Sequence, residues 1–444
     1  MPQSRYDIAI IGGGFSGLAV LANLVKSLTR PMRIAVISRE PAGVFGPAYS
    51  TPRNEHLLNV RASAMGLYAD DHGHFLKWAQ ASGHDAKPGD YLPRPLYGQY
   101  LASVLAETKA LAAERGIPLD FFQGEVADVA DEDEYLEIRS GADIIPARYV
   151  VLAIGNSLKA QEDSVQGLVN NPWHYDFAAL KGKSSVAIIG SGLTAADTIV
   201  SILRSGWQGK MACFSGTGLL PRAHVPEYDA SRVPKADGSR FLNKRLSQIM
   251  REIRKDIAAG TTEWQYVIDS LRPLTQDLWR SLSSTDRTRL AEKYFTLWNV
   301  HRHRYAASIS YEIDAAIATG QLTLEKAKCR DVSPVDSGVS IELHSRNTPP
   351  RREVFDIAFN CVGVNYKIDN NPLLKKMVES GMLKRANNPY GVAASDNFVG
   401  ARKMGGMVLI FGTPLFGQLF ETTAVPELRA QAAAVAKSII STLQ

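Results

Sequence analysis

Residues Ile10–Ala19 read IIGGGFSGLA, and residues Ile188–Asp197 repeat the same logic as IIGSGLTAAD. Each is an apolar run that ends in a glycine-rich turn and opens a helical pattern. In the first, DIAII (Asp7–Ile11) has the continuous apolar character of a buried parallel strand. Gly12, Gly14 and Gly17 follow in GxGxxG spacing, residues 18–28 read as a helix, and RIAVIS (Arg33–Ser38) is the next strand. A β-α-β unit that grips a dinucleotide asks for small residues at these places. Gly12 makes the tight turn, Gly14 lets backbone approach a pyrophosphate, and Gly17 permits close helix-to-strand packing with the helix N-terminus facing the anion. The spacing alone is weak, and the strand-turn-helix context is what favours a nucleotide site over a bare turn. Glu40, past Ser38 and Arg39, is the acidic candidate for the ribose.

The second unit carries Gly190 and Gly192 in its turn and Ala195 where the first has its third glycine. Alanine is small enough for the helix to approach, so GxGxxA still fits a dinucleotide turn. Two such units in one chain suggest two nucleotides, one held and one visiting. The alternative is a duplicated unit that has kept its fold and lost its ligand.

Bulk properties narrow the field. With 444 residues the chain has room for two or three domains, and its 50 Lys+Arg against 45 Asp+Glu leave a mild net charge of +5. That balance suits phosphate-bearing small molecules and falls short of a nucleic-acid footprint. Cys213, Cys329 and Cys361 are widely spaced without a CxxC pair, so neither a disulfide framework nor a zinc site is supported. No apolar run approaches a membrane span, and the first strand begins too close to Met1 for a signal peptide, so no membrane is expected and a cytoplasmic location is.

Between the units, a helix over 97–115 places Leu101, Val104, Leu105, Thr108 and Leu111 on one face as a core stripe. Residues 125–151 alternate through short strands with a turn at Ser140-Gly141 and run into YVVLAIGN, which ends in Gly155-Asn156. After Gly216 the chain turns helical and basic, over Arg240–Ile257 and again over Asp286–Thr319, and most of these cations are expected to be solvated. His301 and His303, like His72 and His74, are two residues apart and would point to different sides of a helix, so no metal is proposed. Strand character returns at VFDIAFNCVG (Val354–Gly363) and MVLIFG (Met407–Gly412), and a final helix turns Leu428, Ala432, Val435 and Ile439 inward. The expected architecture is α/β, with two Rossmann-like dinucleotide-binding domains: a first spanning 1–165 and completed by 353–444, and a second over 166–352 with a helical insertion at about 235–320.

The stretches GPAYSTPRNEHLLNVRASAM, LPRPLYGQYL, VVLAIGN, GSGLTAADT, GLLPRAH, WNVHRHR and FETTAVPELRAQA resemble the FAD/NAD(P)-binding proteins of the YdhS type. These are similar in organisation to the flavin-dependent N-hydroxylating and Baeyer-Villiger monooxygenases. The resemblance implies that Gly12, Gly14, Ser16 and Gly17 hold the pyrophosphate of FAD and Glu40 its ribose. It places His56, Leu58, Asn59, Val60 and Met65 in a loop beside the isoalloxazine, Val126 against the adenine, and Gly155, Gly412 and Thr413 near the flavin. Gly190, Ser191, Gly192, Leu193 and Thr194 would form the NAD(P)H turn.

Two departures stand out. Where many relatives have arginines after the second strand of the NAD(P) unit, this chain reads CFSGTGLLP, with Gly216 and Thr217 in those places. Arginine is the usual partner of a 2′-phosphate, so NADPH and NADH stay open; Arg222 or Arg304 are substitutes for the missing charge, and Ser215 or Thr217 would bond either ribose weakly. Arg61 stands where the resembling pattern has proline. It is a catalytic candidate, with Asn59, either to orient a substrate carboxylate or to stabilise an anionic flavin or peroxide; a solvent-facing loop arginine is the alternative.

The leading expectation is an FAD-dependent NAD(P)H oxidoreductase of the monooxygenase type. It would form a C4a-(hydro)peroxyflavin with dioxygen and N-hydroxylate a small amine or amino acid, with a homodimer expected by analogy alone. The alternatives are an NAD(P)H-dependent flavin reductase that oxygenates nothing, and an FAD-holding nucleotide sensor that uses the basic insertion to bind an acidic partner.

Overall fold

The computed structural model describes residues 5–156, 165–364, 366–387 and 390–442. In chain order the elements that matter are β1 (Tyr6–Ile11), α1 (Phe15–Ser27), β2 (Ile34–Ser38), α2 (His74–Ala81), α3 (Arg94–Glu114), β3 (Leu119–Gln123), β4 (Val126–Asp131), β5 (Leu136–Ser140) and β6 (Asp143–Leu152). Then come β7 (Leu168–Val169), β8 (Ser185–Ile189), α4 (Leu193–Arg204), β9 (Lys210–Ser215), β10 (Leu322–Lys326), β11 (Lys328–Val335), β12 (Gly338–His344), β13 (Arg351–Phe355) and β14 (Ile357–Asn360). The chain closes with β15 (Val399–Arg402), β16 (Met407–Ile410) and a carboxy-terminal helix, Val425–Ser441.

Contacts divide the chain into two units, one of residues 1–50, 60–159 and 364–444, the other of 51–59 and 160–363. The first is built on a sheet ordered β15-β16-β6-β1-β2-β3, parallel from β16 to β3, with β4 and β5 attached to the early part of β6. Ile8, Ala9 and Ile10 are fully buried, and the face that carries Ala9 packs against β4, β5 and residues 368–383; a parallel strand covered on both faces reads as a continuous apolar run rather than an alternating one. α1 packs against both α3 and the carboxy-terminal helix. In α3, Leu101, Val104, Leu105 and Thr108 are buried and Leu111 half-buried. Leu428, Ala432, Val435 and Ile439 of the last helix are buried.

The second unit has a parallel sheet ordered β10-β9-β8-β14-β7 and an antiparallel one, β11-β12-β13. β14 pairs with β8 along Ile357–Asn360, so this unit runs to Gly363, where the sequence reading starts the third segment at 353. The expected boundary at 165/166 adjoins residues 157–164, which lie outside the described residues. The helical insertion is more broken than periodicity predicts. Arg240–Ile257 is split into Gly238–Phe241 and Leu246–Ala258, with Asn243 between them at φ 57°, a left-handed conformation no helix continues through. Asp286–Thr319 divides into a helical run from Ser284 to Arg302, interrupted by one π-helical stretch at Leu290–Tyr294, and a second helix, Ala307–Ala318. Among the described residues no helix is long and apolar enough to cross a membrane.

Candidate dinucleotide sites

In the first unit β1 delivers the chain into its turn. Gly12 sits at φ 117°, and a Cβ there would stand 2.2 Å from the Ala153 carbonyl oxygen, so no other residue fits. A Cβ on Gly17 would lie 1.8 Å from the Gly12 oxygen, which is the close helix-to-strand packing the motif requires. Gly14 differs: it is the N-cap of α1 at φ −72°, ψ −167°, without a side-chain cap, and a Cβ there would be no nearer than 3.7 Å to anything. Among the described residues no N-cap side chain satisfies the first-turn amides of α1, which leaves them to an anion.

Around this turn the fold gathers further predicted residues. A Cβ on Gly412 would come within 3.9 Å of Ser16 Oγ, and Thr413 Oγ1 donates to Asn156 Oδ1 at 2.6 Å, next to Gly155 at the end of the β6 segment. A cavity of about 220 Å³ runs from Gly13 and Gly17 past Ser38 and Glu40 to Gln123. Its glycine floor, its open helix end and the carboxylate of Glu40 fit the ADP half of FAD. Val126, 7% exposed at the start of β4, is not part of this lining and pairs through its backbone with Ser140.

The loop quoted for the isoalloxazine divides between the units at 59/60. His56 is 1% exposed; its Nδ1 lies 2.8 Å from Thr51 Oγ1 and its Nε2 2.9 Å from Ser201 Oγ on α4. Ser201 donates its only hydrogen to Glu55 Oε1, so it accepts from His56 Nε2–H, leaving Nδ1 for the Thr51 hydroxyl. Burial pushes the Glu55 carboxyl up, but its own backbone amide, Ser201, His56 and Arg53 outweigh that and hold it below the usual range. Leu58 is buried, and His224 Nε2 donates to the Asn59 carbonyl at 3.1 Å. The side chain of His56 is thus spent pinning residues 51–59 onto α4. His56→Ala is expected to cost about 2–3 kcal/mol through lost packing and two orphaned hydroxyl partners. Thermal unfolding should register this while the flavin-to-protein ratio stays at the parent value; a fall in that ratio alone would refute the pinning role.

On the other side of the division, half-buried Val60 precedes Arg61. Arg61 caps a 3-10 turn, Ala62–Ala64, and its guanidinium lies 5.5 Å from the Tyr91 ring centroid. Met65 is buried and its carbonyl accepts from Tyr97 OH at 2.9 Å. Sequence reading missed the groups that fix this segment. Arg429, 5% exposed on the last helix, donates to the carbonyls of Ala64 at 3.0 Å and Gly66 at 3.1 Å. Gln431 Oε1 accepts from Gly412 N at 3.0 Å. The available signal was a pair of polar residues beside the apolar stripe of a helix, within the quoted FETTAVPELRAQA.

The second turn repeats the first. Gly190 has φ 101° and would place a Cβ 2.4 Å from the Cys361 oxygen, while a Cβ on Gly192, the N-cap of α4, meets nothing within 4 Å. Ser191 Oγ donates to Leu219 O at 2.7 Å, Leu193 and Thr194 form the first turn of α4, and Ala195 is fully buried as the third small residue. Burial raises all three thiols, Cys361 to about 12, so none is a poised thiolate. In the insertion, Arg240 is tied to Glu252 at 2.9 Å and Asp256 at 2.8 Å.

Residues 9–157 match the FAD-NAD(P)-binding family model. No curated protein matches the sequence. Solved structures match along nearly the whole chain. The cadaverine monooxygenase DfoA of Erwinia amylovora, bound to FAD, aligns at TM-score 0.66 and 16% identity over 98% of this chain and 95% of its own. The ornithine N-hydroxylase KtzI of Kutzneria sp. 744 aligns at 0.63 and 12% over 99% and 100%. The bacillithiol disulfide reductase Bdr of Bacillus cereus aligns at 0.54 and 12% over 99% and 100%. Residues 9–157 thus carry the match to the FAD-NAD(P)-binding family model, and the chain as a whole has the Rossmann-type fold of these neighbours.

Proposed function

We propose that the chain is an FAD-dependent, NAD(P)H-oxidising monooxygenase that hydroxylates a small amine or amino acid at nitrogen, in the cytoplasm. The observation that carries this reading is the pair of strand-turn-helix units, each open at its second glycine, in a chain matched over 98–99% of its length by a cadaverine monooxygenase and an ornithine N-hydroxylase. FAD, when bound, supplies the hydride acceptor and the centre that activates dioxygen. The first-turn amides of α1 bind its pyrophosphate and Glu40 takes its ribose. Arg429 and Tyr97 hold the segment bearing Arg61 and Met65 in one conformation. Arg61 orients a substrate carboxylate or balances negative charge that develops during turnover.

A reductase without oxygenation is the second reading, since the fold is shared with Bdr. Thiol chemistry is disfavoured for this chain by the raised thiols. A nucleotide sensor working through its basic insertion would have to do so without Arg240, which is already neutralised by two carboxylates. The test is anaerobic rapid mixing of the flavin-loaded protein with NADPH or NADH, following loss of the flavin's visible absorbance. Oxygen is then admitted with ornithine, lysine or cadaverine. Bleaching in the parent, none in Gly192→Ala, and hydroxylated amine in place of peroxide are expected. Peroxide alone with every amine leaves only the reductase, and no bleaching rejects both enzymes. Arg61→Ala that reduces and turns over like the parent removes the role given to Arg61.

A further inference from the structure

In a Rossmann unit the end of the second strand faces the adenosine ribose, where an acidic residue reads a free 2′-hydroxyl and a cation reads a 2′-phosphate. Here that strand, β9, ends at Ser215 and continues Gly216, Thr217, Gly218, with no charge of either sign. The segment is folded on itself: Ser215 Oγ accepts from Gly218 N at 2.9 Å, Thr217 Oγ1 accepts from Leu219 N at 3.4 Å, and the two hydroxyls are 3.4 Å apart.

The missing charge comes from the neighbouring strands. β10 runs parallel to β9 in a register that sets Lys326 beside Ser215. The chain then turns at the buried Ala327, and Lys328 opens β11 across the tip of β9. A Cβ on Gly216 would stand 3.4 Å from Lys328 Cε and 3.9 Å from its Cγ, so the lysine stem covers this glycine. A Cβ on Gly218 would stand 2.9 Å from Lys326 N, so that glycine lets the strand itself come close. Both lysines are exposed, and among the described residues neither ammonium is paired with a carboxylate. The acidic groups nearby are already neutralised: Glu325 by Arg351 at 2.5 Å, Asp331 and Glu342 by Arg352 at 2.9 and 2.8 Å. Arg304, a substitute suggested by the sequence, is 2% exposed and spent on Asp269.

We propose that Lys326 and Lys328 form a 2′-phosphate subsite at the end of β9, with the hydroxyls of Ser215 and Thr217 as further donors, and that the visiting dinucleotide is therefore NADPH. The proposal rests on the reading that the second turn binds a nicotinamide dinucleotide. Two ammoniums on different strands replace one arginine fork: they act as point charges, without bidentate geometry. Being exposed, they make the preference for NADPH sensitive to salt.

The test uses the flavin-loaded full chain and reads binding directly, by calorimetric titration with adenosine 2′,5′-bisphosphate and with 5′-AMP. The parent is expected to bind the bisphosphate about tenfold or more tightly than 5′-AMP, since a charge-assisted contact to phosphate is worth that much. Lys326→Ala and Lys328→Ala should each lose part of that ratio and the double variant nearly all of it, with 5′-AMP binding all forms alike. Lys328→Arg should keep it, and 0.5 M salt (roughly, enough to shorten the screening length to about 4 Å) should shrink it in the parent. The ratio of kcat/KM for NADPH over NADH should follow the same order. A double variant that keeps the parent's ratio overturns the assignment of these lysines and leaves the dinucleotide site standing. A parent that binds the two nucleotides equally overturns 2′-phosphate recognition alone, and a parent that binds neither overturns the second dinucleotide site along with it.

Discussion

Gly12→Ala is expected to give little folded protein and no bound flavin, whereas Gly14→Ala is expected to fold like the parent and purify nearly colourless. The two positions are two residues apart in one turn and differ in what surrounds them. At Gly12 a methyl group must occupy the space of the Ala153 carbonyl, 2.2 Å away, at a φ of 117° that side chains rarely adopt. Backbone strain of about 1–3 kcal/mol and overpacking of a similar size add to a loss of roughly 2–6 kcal/mol. That is a large part of the roughly 5–15 kcal/mol that hold a domain folded. At Gly14 the backbone, φ −72° and ψ −167°, suits alanine, and the nearest atom is Phe45 O at an ordinary 3.7 Å. Only a ligand approaching the helix end would meet the new methyl. The flavin-to-protein absorbance ratio and the thermal midpoint, each with and without added FAD, separate the two effects. A yellow Gly14→Ala protein with full occupancy would show that the pyrophosphate is held elsewhere.

Arg429→Ala is expected to lower stability by about 3–4 kcal/mol and, with it, flavin retention. Its guanidinium is buried and charge-assisted bonds to two carbonyls are worth about 1.5–3 kcal/mol each before partial compensation by entering water. Truncation also removes a stem that fills space beside the last helix. The carbonyls left behind belong to Ala64 and Gly66, on either side of Met65, so the segment that carries Arg61 loses its fastening. Arg429→Lys restores charge and reach for one carbonyl and should recover part of the loss. Differential scanning calorimetry, read with the flavin content, checks both; a midpoint within about 2 °C of the parent for the alanine variant would contradict a role this large.

The parts of this molecule legible in the sequence are those encoded over a few adjacent residues. β1, the Gly12 turn and α1 announce themselves by apolar runs and glycine spacing, and so do β8, Gly190 and α4. What depends on pairing across the chain was not legible. Residues 354–363 look like any buried strand, and nothing local says that β14 lies beside β8. GPAYSTPRNEHLLNVRASAM reads as one loop, yet His56 answers to Ser201 and Met65 to Tyr97. Nothing local marks Lys326 and Lys328 either: the register of β10 on β9 sets Lys326 beside Ser215, and the Lys328 stem lies over Gly216. Arg429 was hidden because the carbonyls it serves lie some 360 residues upstream.

The division of the chain has a consequence for how it is made. β6 lies between β1 and β16, so one edge of β6 stays without its neighbour from the time residue 152 is synthesised until residues 407–410 emerge. At bacterial or eukaryotic elongation rates of about 5–20 residues per second, that wait lasts roughly 13–50 s. Residues 160–363, by contrast, are complete well before the ribosome finishes, and their earlier partner segment 51–59 is already outside. The nascent chain therefore finishes its middle first, and its amino-terminal half waits with an apolar strand edge open. Slower translation through residues 364–410 is expected to lengthen that wait, and a chaperone that shields strand edges to protect the chain during it.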